Sequence, residues 1–443
     1  MKALLLYGGR IIDPGQGIDE VGNLLVNEGR VLWRGSVEMT PPVSDYDALS
    51  VEGLVVCPGF IDLHCHLRQP GFEEKETIAS GSSAAARGGF TTICCMPNTN
   101  PPLDNPAAVD YVKEIAAREA VVRVLPVGCV SRGRKGEMLA PLVEMASTGV
   151  VGFSDDGAPV SNPPLMKQAL EYSRVLDLPV IDHCQDISLT RDGQVNEGVI
   201  SARLGLKGMP AAAEENMVIR DLSLTRQTGG WLHVAHITTE GSVNLVRRAR
   251  EQGINVTAEV TPHHLTLTEE AVDGYNTSAK VNPPLRTGRD IQALIGGLKD
   301  DVIDIIATDH APHTVADKQC EFTRAEFGIS GFETALGSLM ALVHSGELTL
   351  TILIARLTAA PARIIGERYG KLGTLAVGAV ADITVFDPER DWVVDTNAFA
   401  SKGKNTPLDG ATLKGKVMAT IAQGSLVYKD DSIKAEVKDF ARR

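Results

Sequence analysis

The sequence has no surplus of positive charge: 43 Lys and Arg stand against 56 Asp and Glu, for a net charge of −13. No basic stretch could track a phosphate backbone, so nucleic acid is excluded as an expected partner. The chain also lacks any apolar run near the roughly 18 residues that a membrane span requires. Its opening segment, MKALLLYGGRIIDPG, has too short an apolar stretch for a signal peptide and no small-residue cleavage site, so a cytosolic protein is expected. No CxxC pair occurs, and the seven cysteines are an odd number in a long chain. This excludes a disulfide framework and a structural zinc knuckle and leaves the thiols mostly as core filler. Low-complexity linkers and solenoid repeats are missing as well. What remains is a chain of 443 residues, 43% hydrophobic and 22% charged, able to bury a large core.

Short apolar runs, each closed by polar residues and followed by a helix-like stretch, recur through its middle. They are LVVCPGFIDLHCH ending at His66, FTTICCMPN at Asn98, VVRVLPVGCV at Val130, VVGFSDD at Asp156, LPVIDHC at Cys184, WLHVAHIT at Thr238, INVTAEVTPHH at His264 and DVIDIIATDH at His310. Near-continuous apolar strands are those buried on both faces, and eight of them alternating with segments such as ETIASGSSAAARGG predict a (β/α)₈ barrel over residues 56–365. The flanks, 1–55 and 366–443, carry short alternating runs broken by Gly and Asp. They read as hairpins and are expected to pair into one small β-sandwich domain.

The sharpest local feature is HCHLR at 64–68. Alternate side chains of a strand share a face, so His64 and His66 point together and Cys65 points away. Further ligand-type residues stand at the ends of other runs: Asp155 and Asp156, His183, His236 and Asp309. Buried polar side chains are costly unless paired or coordinated, so such a ring at the C-terminal mouth of a barrel calls for a cation. Imidazole and carboxylate without thiolate suit Zn²⁺, and more than four ligands suit two ions sharing one carboxylate. Asp155 and Asp156 are adjacent, so the pleat allows only one of them to face the ions.

PGFIDLHCHLRQPGFEEKETIASGSSAAARGGFTTICCMPNTNPP, GFSDDG, HVAHITT, KVNPPLR, IATDHAPH and GTLAVGAVADITVFD together resemble the class I dihydroorotases of the amidohydrolase superfamily, over nearly the whole chain. The resemblance implies a zinc-dependent cyclic amide hydrolase that interconverts N-carbamoyl-L-aspartate and L-dihydroorotate in pyrimidine synthesis. It implies His64, His66 and Asp309 as ligands of one Zn²⁺, His183 and His236 as ligands of the other, and Asp156 as the bridge. Asp309 would also be the catalytic acid-base. The substrate would be held by His66, Arg68, Asn98, Asn282 and His313, with backbone groups from Phe327 and Gly328, whereas His263, His264 and His310 have no implied role. Hydantoinase-like relatives place a carbamylated lysine on the fourth strand, and TGVVGFSDDG contains no lysine. Thr238, where serine is common, and Ser330, in a glycine-rich turn, depart from the pattern; they bear on the loop geometry between Pro312 and Gly331, not on the ligands.

Three other readings compete. A hydantoinase or allantoinase would keep barrel and metals but normally lacks the Arg after HxH. A deaminase using one metal would not need a bridging carboxylate. An inactive scaffold for aspartate carbamoyltransferase would typically have lost ligands, and none is lost here. A homodimer, with possible association with aspartate carbamoyltransferase, completes the expectations.

Overall fold

The computed structural model describes residues 2–433, so the last part of the expected C-terminal flank, 434–443, lies outside the described residues. Phe60–Cys65, Phe90–Cys95 and Arg123–Pro126 form one parallel ladder, and Val180–Asp182, Leu232–Val234, Val256–Val260 and Ile305–Ile306 form another. Single parallel bridges from Gly128 to Phe153, Phe153 to Val180 and Cys65 to His310 join them into a closed ring. Helices follow the strands, and the architecture is a (β/α)₈ barrel.

The strand residues divide between two apolar environments. Ile61, Leu63, Cys94, Leu125, Val127, Ile181 and Ile305 share one cluster, the barrel lumen. Phe60, Cys65, Phe90, Ile93, Cys95 and Val180 join the cluster that contains the helix residues Val109, Val112, Met166, Leu170, Val243 and Val246. This split is why the strands read as unbroken apolar runs: both faces lie away from water. The helices show the complementary pattern. Glu240–Glu251 is capped by the Thr239 hydroxyl, which accepts from the Ser242 N–H, and it turns Val243, Val246 and Ala249 inward while its arginines face out.

The fourth expected strand is reduced to the bridge at Phe153. The Asp155 carboxylate accepts the backbone N–H groups of Val130 and Ser131, at 3.0 and 3.1 Å, and so takes donors at the end of the third strand that a longer ladder would have used. The seventh run also ends early. Its PHH lies on a short helix, Pro262–Thr266, rather than on the strand, because Thr261 caps the His264 N–H and Pro262 occupies the first turn.

The first run, read as one strand, is two. Val55–Pro58 belongs to the flank sheet, and only from Phe60 does the chain enter the barrel. Gly59 is the joint: a Cβ there would lie 2.1 Å from the Thr91 hydroxyl. Val55–Pro58 pairs in parallel with the strand Ala3–Asp13 and antiparallel with Ile383–Val393, so it joins the two flanks. The result is one eight-stranded sheet in which Ile18–Asn27 and Arg30–Gly35 extend one side and Thr412–Ala422 and Ser425–Lys429 the other. Leu6, Ile11, Leu24, Val56, Val385 and Ile421 form its core. Phe60 bridges this domain to the barrel, 5.7 Å from Phe90 and 6.4 Å from Phe386 between ring centroids. The chain between Val393 and Thr412 leaves the sheet and crosses to the barrel mouth, an excursion with no counterpart in the sequence reading. Among the described residues no helix is long and apolar enough to cross a membrane.

Candidate functional site

The strand Phe60–Cys65 carries a register shift between Asp62 and Cys65, and His64 and His66 project from its end into the mouth. The other candidate ligands lie just past their strands rather than on them. His236 and Asp309 have positive φ values of 29° and 46°, and Arg68 has 61°. Such backbone is uncommon outside glycine, and its clustering at one rim marks a place where side-chain direction outweighs local comfort.

The side chains converge on Asp156. One of its carboxylate oxygens lies 3.4 Å from His64 Nε2, 3.6 Å from His183 Nδ1 and 3.5 Å from His236 Nε2, and the other lies 3.4 Å from His66 Nε2. Asp309 stands 3.0 Å from His66 Nε2 and 3.6 Å from His64 Nε2. Asp155 turns the other way, onto Val130 and Ser131. Behind the cluster, three imidazoles donate their far N–H: His64 Nδ1 to Glu259 at 2.6 Å, His66 Nδ1 to Asn98 at 2.8 Å, and His183 Nε2 to Gln185 at 3.0 Å. These bonds turn the other nitrogen of each ring inward, the direction a metal ligand requires, and His183 Nδ1 lies 2.9 Å from His236 Nε2.

Two further observations test the fit to a cation. His64 Nε2, Asp156 Oδ1 and His236 Nδ1 are buried without a hydrogen-bond partner, although buried polar atoms are ordinarily paired. The electrostatics agree: burial lowers the His64 pKa, yet Asp156, Glu259 and Asp309 outweigh it and carry the ring well above its usual value. Burial likewise opposes ionisation of Asp156 and Asp309, but the histidines, His64 foremost, hold both carboxyls well below their usual range. The pocket therefore favours positive charge at its centre, and N and O donors of this kind suit a divalent cation such as zinc. His64, Asp156 and His236 form one group able to hold an ion, and His64, His66 and Asp309 form a second. A third group, Asp182, Cys184 and Asp221, is already met by the Arg220 guanidinium, 2.6 Å from Asp221.

A cavity of about 230 Å³ opens onto this cluster and is lined by all the expected site residues except His64, which is fully buried behind it. Arg68 donates from Nε to the Pro312 carbonyl at 3.2 Å, with Nη2 3.3 Å from His313 Nε2. His313 donates to the Phe327 carbonyl at 2.8 Å and faces Lys75 Nζ at 3.4 Å. Burial, then Arg68 and Lys75, pull its pKa far down, so it is a neutral donor. Asn282 lies against Gln185, its amide nitrogen 3.1 Å from the Gln185 oxygen. His264 bonds Thr261 and the Pro283 carbonyl, and His310 stacks on Phe332 with centroids 4.2 Å apart.

Sequence reasoning missed Glu259, which holds His64 and, through its second oxygen, His233 at 3.1 Å. A charged residue inside the apolar run INVTAEV was the available signal. It also missed Gln185, two residues beyond His183, and Asn405 on the excursion from the flank sheet, for which no local pattern gives a signal.

Residues 53–242 match the model of the dihydro-orotase-like family, and residues 211–428 match that of the amidohydrolase family. A dihydroorotase of Thermoanaerobacter sp. is 49% identical over 429 residues, 97% of this chain and 98% of that protein. One of Syntrophus aciditrophicus is 48% identical over 428 residues, 97% of this chain and all of that protein. Among solved structures, L-hydantoinase from Arthrobacter aurescens superposes with a TM-score of 0.87 at 25% identity, covering 98% of each chain. Dihydropyrimidinase from Brevibacillus agri superposes with a TM-score of 0.84 at 22% identity, covering 98% of this chain and 97% of the other; at that identity the likeness is one of fold.

Proposed function

This chain belongs to the dihydroorotase family of the amidohydrolases, and from that premise we propose how its site closes N-carbamoyl-L-aspartate to L-dihydroorotate and reopens the ring. It is a cyclic amide hydrolase of a metal-dependent family. The observation that carries the finer reading is the convergence of four imidazoles on Asp156, with Arg68 and His313 across the same cavity. In this reading two Zn²⁺ would be held, one by His64, His66 and Asp309, which lie close enough together to share an ion, the other by His183 and His236, with Asp156, near both rings, common to the two. Such a pair of ions supplies a nucleophile at neutral pH and polarises the carbonyl that is attacked.

The remaining work falls to the chain. Asp309, held ionised by His64 and His66, takes the proton of the nucleophile and delivers it to the leaving ring nitrogen. In the closing direction the same oxygen takes the ureido proton. Arg68 offers its guanidinium to the ring carboxylate, and neutral His313 and Asn98 complete that grip, while Asn282 and the backbone at Phe327 and Gly328 meet the ring. Binding at the carboxylate end orients the reacting carbon several ångströms away.

The hydantoinase reading is the weaker one. Its ring substrate brings no carboxylate for Arg68, and Asp156 occupies the place where such enzymes carry a modified lysine. The proposal extends to the expected catalytic barrel, its start moved from 56 to Phe60 by the pairing of Val55–Pro58 with the flank sheet and its end at 365, a homodimer in the cytosol, and aspartate carbamoyltransferase as a candidate partner. Metal analysis of the purified protein combined with turnover of dihydroorotate and hydantoin tests the core of it. About two zinc ions per chain with dihydroorotate strongly preferred is expected; preference for hydantoin would overturn the assignment.

A further inference from the structure

Residues Gly403–Asn405 of the flank excursion lie directly on the barrel mouth. A Cβ at Gly403 would sit 2.5 Å from Pro312 Cβ, so the chain passes as close to Pro312 as a glycine permits. Asn405 is 4% exposed, and its side chain makes four hydrogen bonds. Its Nδ2 donates to the Ala311 carbonyl at 3.0 Å and the Gly328 carbonyl at 2.9 Å. Its Oδ1 accepts from the His313 N–H at 2.9 Å and the Ser330 hydroxyl at 2.8 Å, and its own carbonyl accepts from the Ser330 N–H at 2.8 Å. The orientation of the amide is forced, because carbonyls can only accept and a backbone N–H can only donate.

These partners belong to two separate segments of the mouth. One, Ala311–His313, carries His313 and the Pro312 carbonyl that receives Arg68; the other, Phe327–Ser330, carries the backbone at Phe327 and Gly328. Among the described residues no other side chain bonds both segments through all its polar atoms, and an amide of this length offers two donors and a two-fold acceptor in one plane.

We propose that Asn405 is a positioning residue for substrate: from outside the barrel it braces the segment that carries His313 and the Arg68 contact, which grip the ring carboxylate, against the Phe327–Gly328 backbone that meets the ring, and so sets selectivity for carboxylated rings. This rests on the function proposed above. Asn405 does not line the cavity and acts only through His313, Gly328 and their neighbours. The Ala311 N–H and the His313 ring also join the two segments directly, at 2.8 Å to the Ile329 and Phe327 carbonyls, but without Asn405 the His313 N–H and the Ala311 and Gly328 carbonyls lose the one partner they have within this contact.

The test uses the metal-loaded full chain and two probes of different reach. Orotate carries the ring carboxylate; acetohydroxamate addresses the metal cluster alone. In Asn405→Ala, calorimetry should show orotate binding weakened about tenfold, with acetohydroxamate binding within about twofold of wild type. Zinc content should match wild type, and KM for dihydroorotate should rise about tenfold while kcat changes less than about threefold. Ser330→Ala removes a single donor to Oδ1 and should shift orotate binding in the same direction by a smaller factor; it decides the matter if Asn405→Ala does not fold. Unchanged orotate affinity in either soluble variant overturns the proposal, as does parallel weakening of both probes, which would mark a merely structural role. A wild-type chain that binds orotate but does not turn over dihydroorotate would instead overturn the proposed reaction and leave the positioning role standing.

Discussion

The two halves of the site are built differently. The metal-facing half takes its candidate ligands from the ends of barrel strands, and three of its four rings are set by an acceptor behind them: Glu259 for His64, Asn98 for His66, Gln185 for His183. The carboxylate-facing half is carried mainly by loops, only Arg68 following closely on a strand, Phe60–Cys65. Arg68, His313 and the backbone at Phe327 and Gly328 sit on loops held to one another and to the flank excursion. A half anchored to the barrel should respond to substitution through metal content; a half anchored loop to loop should respond through KM and specificity.

The sharpest way to break this contrast is at Asp156. Asp156→Ala should lose zinc and with it all measurable turnover, while Asp155→Ala, which removes acceptors from Val130 and Ser131, should lower thermal stability and keep the metal. Metal analysis of the two variants decides it: loss of zinc from Asp155→Ala would reassign the bridge. Recovery of full activity on refilling the apo-protein with zinc in CO₂-depleted buffer should accompany this result, since the bridge proposed at Asp156 needs no CO₂ to form its carboxylate.

Asp309 belongs to the first half by position but in the proposed reaction works on protons, so Asp309→Asn should retain much of its metal and lower kcat by at least about 10²-fold. Steady-state kinetics on the metal-replete variant would remove Asp309 from that role if kcat stayed near wild type.

For the second half, Arg68→Met should leave zinc in place and cost about 2 kcal/mol in kcat/KM for dihydroorotate, roughly thirtyfold. An unchanged kcat/KM would mean that the carboxylate is read elsewhere.

The smallest effect concerns the loop that carries Phe327. Lys318 donates to the Glu326 carbonyl at 2.7 Å, and burial, then Lys280, pull its pKa from 10.5 down to about 7. Between those values the unfolded chain holds a proton that the folded chain has released, so this group makes stability rise as pH increases from about 7 towards 10.5. Chemical denaturation at pH 7.5 and 9.5 should show a flatter pH dependence in Lys318→Met than in wild type; an equal slope would show that the ammonium is not suppressed in the folded state.

The same contrast explains what could be read in advance. The barrel and the ring of candidate ligands were legible because each candidate stands beside an apolar run whose period and end are local facts: HCH after FIDL, SDD after VVGF, TDH after DIIA. Where a run misled, a tertiary bond had overruled it, as when Asp155 took the donors of the neighbouring strand or Pro58-Gly59 handed one apolar run from sheet to barrel. Asn405 was invisible for the opposite reason. KGKNTPLDG is ordinary turn composition, and nothing in it records that its partners are Ala311, His313, Gly328 and Ser330.

The strand Val55–Pro58, flanked on one side by Ala3–Asp13 and on the other by Ile383–Val393, also orders events in time. A chain emerging from the ribosome presents the first of these neighbours at once, but the second only after nearly the whole barrel has been translated. Until then one edge of Val55–Pro58 has unpaired backbone groups and apolar side chains, a surface on which another nascent chain could add a strand. The loop that Asn405 brings to the mouth follows that late strand, so the metal cluster can assemble before the grip on the carboxylate does. Truncations that stop short of Ile383 should therefore aggregate through this edge rather than remain as free barrels.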